Sequence, residues 1–133
     1  MLELKTALES ANGPDTTLDL EVFRYFNPNR NHYIWQYGRP CLYLRFNNEW
    51  RAIEPDHYTE SVDVAITLVP ENFRIYIQDQ RPYGNSKGAW HCGIDRIKPP
   101  FFGSSKDVFS VYAASIPLAL CLARVEYELA NAS

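Results

Sequence analysis

Apolar residues recur along the chain with two periods, and the secondary structure should change where the period changes. Residues 2–11 place Leu4, Leu8 and Ala11 on one side of a helix, with Glu3, Lys5 and Glu9 around them. Asn12-Gly13-Pro14 ends that pattern, and Asp15 or Thr16 can then cap a second helix by accepting a first-turn N–H. Asp19 adds negative charge where the helix dipole favours it, and Leu18, Val22, Phe23 and Phe26 form the apolar side. The two segments predict a helical hairpin.

Beyond the breaker Asn27-Pro28-Asn29-Arg30-Asn31 the period falls to two, and HYIWQY, CLYLRF and EWRAI read as strands. The last two form a hairpin about Asn47-Asn48, because Asn tolerates the positive φ angles of tight turns. Leu42, Leu44 and Phe46 share one strand face, and Tyr43 and Arg45 the other.

The segment YTESVDVAITLVP predicts a short helix capped by Thr59, with Glu60 and Asp63 in its first turn. Its apolar face would be Val62, Ala65, Ile66 and Val69, and Pro70 forbids its continuation. FRIYIQ and AWHCGIDRI then alternate as a second meander, followed by a loop over residues 98–107. The final segment, YAASIPLALCLARVEYELA, is helical and apolar almost all round, so it needs a sheet on one side and another layer opposite. Pro117 fits a first turn capped near Ser115, or else kinks a longer helix.

This order of elements implies an α+β fold with helices packed on both faces of a mainly antiparallel sheet, an α/β/α sandwich-like arrangement. One domain over residues 1–133 accommodates it, with residues 27–57 as a strand-rich insertion. Of the 133 residues 46 % are hydrophobic, enough for a core at this length.

The net charge is −3 and the basic residues are scattered, which argues against nucleic-acid binding. MLELKTALES has no basic start followed by an apolar run, and no stretch reaches the ~18 apolar residues of a membrane span, so a cytoplasmic protein is expected. Cys41, Cys92 and Cys121 form no C-x-x-C pair and read as reduced thiols.

Candidate chemistry is sparse. His91 and Cys92 fall on opposite faces of a strand and cannot jointly ligate an ion, whereas His91, Gly93 and Asp95 share a face, the one arrangement on which a hydrolase reading could rest. No nucleophile elbow, zincin, P-loop or dinucleotide fingerprint occurs, so a non-enzymatic protein without cofactor or metal is expected. The loops RPYGNSKGAW (81–90) and KPPFFGSSKD bring Arg81, Tyr83, Lys87, Phe101, Phe102 and Lys106 together in composition. Cations among aromatics suit an anionic or ring-bearing small molecule such as a nucleotide.

Three stretches carry a resemblance: GPDTTLDLEV at 13–22, YTESVDVAITLVPENF at 58–73 and AASIPLALCLARVEYE at 113–128. The landmarks are Gly13, Pro14, Asp15, Leu18 and Asp19, then Tyr58, Thr59, Ser61, Asp63, Leu68, Val69 and Pro70, then Pro117, Ala119, Leu120 and Cys121. In this order they resemble the phage ABA sandwich domain, a family of small bacteriophage and prophage proteins without an established activity. The resemblance implies a phage or prophage accessory protein in the host cytoplasm that binds a host or phage protein and self-associates. Inhibition of a bacterial defence system is the concrete form expected of it. The matched residues themselves read as structural: caps at Asp15 and Thr59, a stop at Pro70, and core contacts elsewhere.

Overall fold

The computed structural model describes residues 2–26, 32–36, 39–46, 49–53, 56–83, 88–96 and 108–131. The elements run α1 (Leu2–Ser10), α2 (Thr16–Phe26), β1 (His32–Gln36), β2 (Arg39–Phe46), β3 (Glu49–Ile53), α3 (Val62–Ile66), β4 (Phe73–Asp79), β5 (Trp90–Arg96), β6 (Val108–Ala113) and α4 (Ile116–Asn131). The strands make two antiparallel three-stranded sheets, β1-β2-β3 and β4-β5-β6. Residues 27–57 thus supply a sheet of their own, and Phe46 pairs with Glu49 across the expected Asn47-Asn48 hairpin.

Helix α4 is the centre of the core. Leu118, Ala119, Leu120, Cys121, Ala123 and Val125 have no exposed surface, as a helix apolar on all sides requires. It lies on β5 and β6, with α1 and α3 against its other sides and α2 packed on α1. From the sheet, Cys92 and Ile94 of β5 and Val111 and Ala113 of β6 face it, with Phe73, Ile75 and Phe109 at the margin. Tyr127 closes that margin by meeting Phe73 and Phe109 edge-on, at ring separations of 5.3 and 5.6 Å. The fold is a single compact α+β domain with helices packed on an antiparallel sheet.

Polar contacts tie the helices to α4. Lys5 of α1 pairs with Glu126 at 2.9 Å, which raises the lysine's pKa. Arg124 is held by Glu128 at 2.6 Å, donates to the Leu68 carbonyl just beyond α3, and lies 4.6 Å over the Phe26 ring at the end of α2. One guanidinium therefore fastens the ends of two other helices.

The three stretches that carry the resemblance meet in space. Asp15 caps α2 as expected, its Oδ1 accepting from the N–H groups of Thr17 and Leu18 at 2.8 and 3.1 Å. Asp19, however, is buried at 2 % exposure, and its Oδ1 accepts both the N–H and the hydroxyl of Thr59 at 2.7 Å each. The Thr59 hydroxyl oxygen in turn accepts from the Asp15 N–H at 2.8 Å. Thr59 is therefore not the cap of α3: Ser61 takes that place, accepting from Val64 N–H at 3.3 Å. Next along the chain, the Tyr58 carbonyl accepts the Cys121 thiol at 3.4 Å, bringing the third stretch into the same knot.

Two further expectations are corrected. Helix α3 ends at Ile66, with Val69 and Pro70 beyond it. The run expected to be all helix opens with Tyr112 and Ala113 in a strand, which begins at Val108 in a stretch given no element from sequence: VFSVYA alternates Phe109, Val111 and Ala113 inward with Val108, Ser110 and Tyr112 outward. Ser115 then caps α4, accepting from Leu118 N–H at 3.4 Å, and Pro117 sits in the first turn.

Candidate functional site

The face of β4–β6 turned away from α4 is polar and aromatic. Antiparallel register sets its residues in rows across the strands: Arg74, Asp95 and Val108; Tyr76, Gly93 and Ser110; Gln78, His91 and Tyr112. Each row holds a different kind of contact.

In the first row Arg74 grips Asp95 with two parallel bonds, Nε to Oδ1 at 2.7 Å and Nη2 to Oδ2 at 2.9 Å. That carboxylate raises the arginine's pKa. In the second row the Tyr76 ring leans across Gly93, so close that a Cβ on Gly93 would lie 2.2 Å from the ring. The absent side chain is what lets Tyr76 reach His91 in the third row, edge-on at 5.7 Å. His91 in turn stacks on Tyr112 at 4.5 Å with the planes 19° apart. Tyr76, His91 and Tyr112 thus form a ladder of rings across three strands, all partly exposed.

The imidazole is fixed at both nitrogens. Nε2 lies 2.6 Å from Ser110 Oγ and Nδ1 3.4 Å from Gln78 Oε1. Because an amide oxygen only accepts, the consistent tautomer carries its proton on Nδ1 and accepts the Ser110 hydroxyl at Nε2. This is a serine–base contact, but the third group is an amide in place of the carboxylate that would stabilise an imidazolium. Asp95 is engaged by Arg74, so the His91/Asp95 pairing considered from sequence does not form. Among the described residues no group of three His, Cys, Asp or Glu converges as a metal site.

The thiols are set for packing. Cys92 and Cys121 are both fully buried, and burial pushes their pKa values up to about 11 and about 12, with the Asp19 charge adding to the second.

Of the loop residues singled out from sequence, Arg81 opens an exposed 3-10 turn that ends at Tyr83. Its guanidinium is bound to both oxygens of Asp79, at 2.9 and 2.7 Å, and lies 5.0 Å from the centre of the Trp90 ring. Asp79 holds it in place, and in return its own pKa is lowered. Lys87, Phe101, Phe102 and Lys106 lie outside the described residues. The ring ladder had a signal in the sequence, since FRIYIQ, AWHCGIDRI and VFSVYA each put a ring or imidazole on the polar side of an alternating strand. It required the strand register, and the existence of β6, to be seen as one surface.

A cleft of about 710 Å³ between α1, α2 and the end of α4 is lined by Leu4, Tyr25 and Phe26 together with Arg24 and Arg124. Arg124 there is committed to Glu128 and the Leu68 carbonyl, which leaves this cleft with a structural arginine at its wall. Among the described residues no helix is long and apolar enough to cross a membrane. The chain matches no protein-family model, and comparison with curated proteins and with solved structures finds no similar chain.

Proposed function

We propose that this chain is a non-enzymatic binding protein that engages another protein through the ladder face of β4–β6. The observation that carries this reading is the Tyr76–His91–Tyr112 stack, partly exposed on the side of the sheet opposite α4 and framed by the Arg74–Asp95 pair. Tyrosine rings supply contact area at little entropic cost, and tyrosine and arginine are enriched among residues that dominate interface energies. Strands hold such a surface better than loops do.

The setting rests on the resemblance to phage ABA sandwich proteins: an accessory protein of a phage or prophage, acting in the host cytoplasm on a host or phage protein. Inhibition of a bacterial defence system is the form we favour.

The test is affinity capture from infected bacterial lysate with the natural chain and with a Tyr76→Ala/Tyr112→Ala double variant. A stoichiometric protein retained by the first and lost by the second, at similar melting temperature, supports the ladder face. Retention by both sinks it, and a nucleotide released on heating with no protein bound favours a small-molecule binder using the 81–90 and 98–107 loops.

A further inference from the structure

The connector between α1 and α2 places an asparagine directly before a glycine. Asn12 and Gly13 lie outside helix and strand, and Asn12 is exposed. Among the described residues neither the Asn12 amide nor the Gly13 N–H is held by a hydrogen bond. A Cβ on Gly13 would meet nothing within 4 Å, and Gly13 does not take up a positive φ. The fold therefore makes no demand for glycine at this position, and the space around its peptide group is open.

We infer that Asn12 is a site of spontaneous covalent modification, converted through a cyclic imide to isoaspartate and aspartate. The Gly13 nitrogen loses its proton to base and attacks Asn12 Cγ. A new N–Cγ bond forms, the bond from Cγ to the side-chain nitrogen breaks, and ammonia leaves. Water then opens the imide. Addition at Cγ restores the peptide link and leaves aspartate, whereas addition at the Asn12 backbone carbonyl carbon breaks the original peptide bond and leaves isoaspartate. The sequence consumes one water and releases one ammonia, with no change of oxidation state.

The other described asparagines lack this setting. Asn72 precedes Phe73, whose side chain crowds the ring closure and whose backbone is paired in β4. Asn131 ends α4 with its side-chain nitrogen donated to the Tyr127 carbonyl at 2.7 Å. The product also matters where it forms. It adds a negative charge just beyond α1, whose last turn carries no basic residue, on a chain already at −3. Isoaspartate further lengthens the connector by a methylene just ahead of Asp15, whose N–H and carbonyl hold the Thr59 hydroxyl at 2.8 and 3.2 Å.

Incubation of the full chain at pH 8, below its melting temperature, followed by peptide mapping, is the deciding experiment. The peptide holding Asn12 should gain the mass of O in place of NH ahead of those holding Asn72 and Asn131, and part of it should resist a protease that cuts before aspartate. Gly13→Ala, which the open space admits with an unchanged melting temperature, should slow the conversion several-fold. So should pH 5, where the Gly13 nitrogen keeps its proton. Asn12 intact after Asn72 or Asn131 has converted, a product that is aspartate alone, or a rate indifferent to Gly13→Ala would each overturn the proposal. None of these readouts depends on a binding partner, so the inference stands or falls separately from the proposed function.

Discussion

Thr59 gives both its backbone N–H and its hydroxyl to the same oxygen of the buried Asp19 carboxylate, across 40 residues of chain. Asp19→Ala would strand the buried Thr59 N–H, while the hydroxyl keeps the Asp15 carbonyl at 3.2 Å as an acceptor, so a loss of about 1–3 kcal/mol is expected. Thr59→Val, which keeps the shape and removes the hydroxyl, should cost about 1–3 kcal/mol. Urea unfolding checks both: the midpoint should fall with the slope unchanged. If Asp19→Ala is as stable as the natural chain, the contact is incidental.

The ladder depends on a missing side chain. Gly93→Ala should drive the Tyr76 ring off the strand, since no Cβ fits 2.2 Å from it, and should weaken partner binding as Tyr76→Ala does. The ring can swing into solvent, so stability should change little. Gly88→Ala should behave oppositely. There φ is +150° and the new Cβ would meet the Ala113 backbone at 2.8–3.0 Å, which cannot step aside, so a loss of about 1–3 kcal/mol is expected by thermal unfolding.

The two buried thiols predict an alkaline limit. Folding keeps them protonated to about pH 11 and 12, whereas they ordinarily ionise near 9.0. The unfolded chain loses those protons first, so stability is complete below about pH 9 and falls as pH rises towards 11–12. By pH 10 the two together should have cost about 2–3 kcal/mol, measured by denaturant unfolding at stepped pH. In a Cys92→Ala/Cys121→Ala variant the slope should flatten, whatever the variant's stability. A thiol reagent at pH 8 should leave both residues unmodified until the chain unfolds.

Ser110 tests the non-enzymatic reading directly. A fluorophosphonate probe should leave it unlabelled by intact mass, because Gln78 supplies no charge to an imidazolium on His91. Stoichiometric labelling lost in His91→Ala would instead establish an activated serine.

Long-period features were legible from sequence. The apolar girth of α4, the Asp15 and Ser115 caps and the strand pairing around Asn47-Asn48 follow from local chemistry, and all four are present. Thr59 was misread because a hydroxyl before a helix satisfies a cap rule equally well whether its partner is the next turn or a carboxylate 40 residues away. The strand β6 was hidden by its neighbour: VFSVYA runs straight into the apolar α4, and period two over six residues is lost beside period 3.6 over sixteen. With β6 unseen, Tyr112 and Ser110 could not be placed beside His91. The candidate surface is a product of register, which no single stretch contains.

Helix α4 follows in sequence every element it packs against. While the chain is being made, β5 and β6 therefore emerge with their inward faces bare, and α1 and α3 wait without a surface to settle on. Until residues 116–131 have left the ribosome, the inward faces of β5 and β6 lack the helix that covers them. A chaperone that shields apolar strands would be expected to hold the nascent chain up to that point and release it abruptly afterwards.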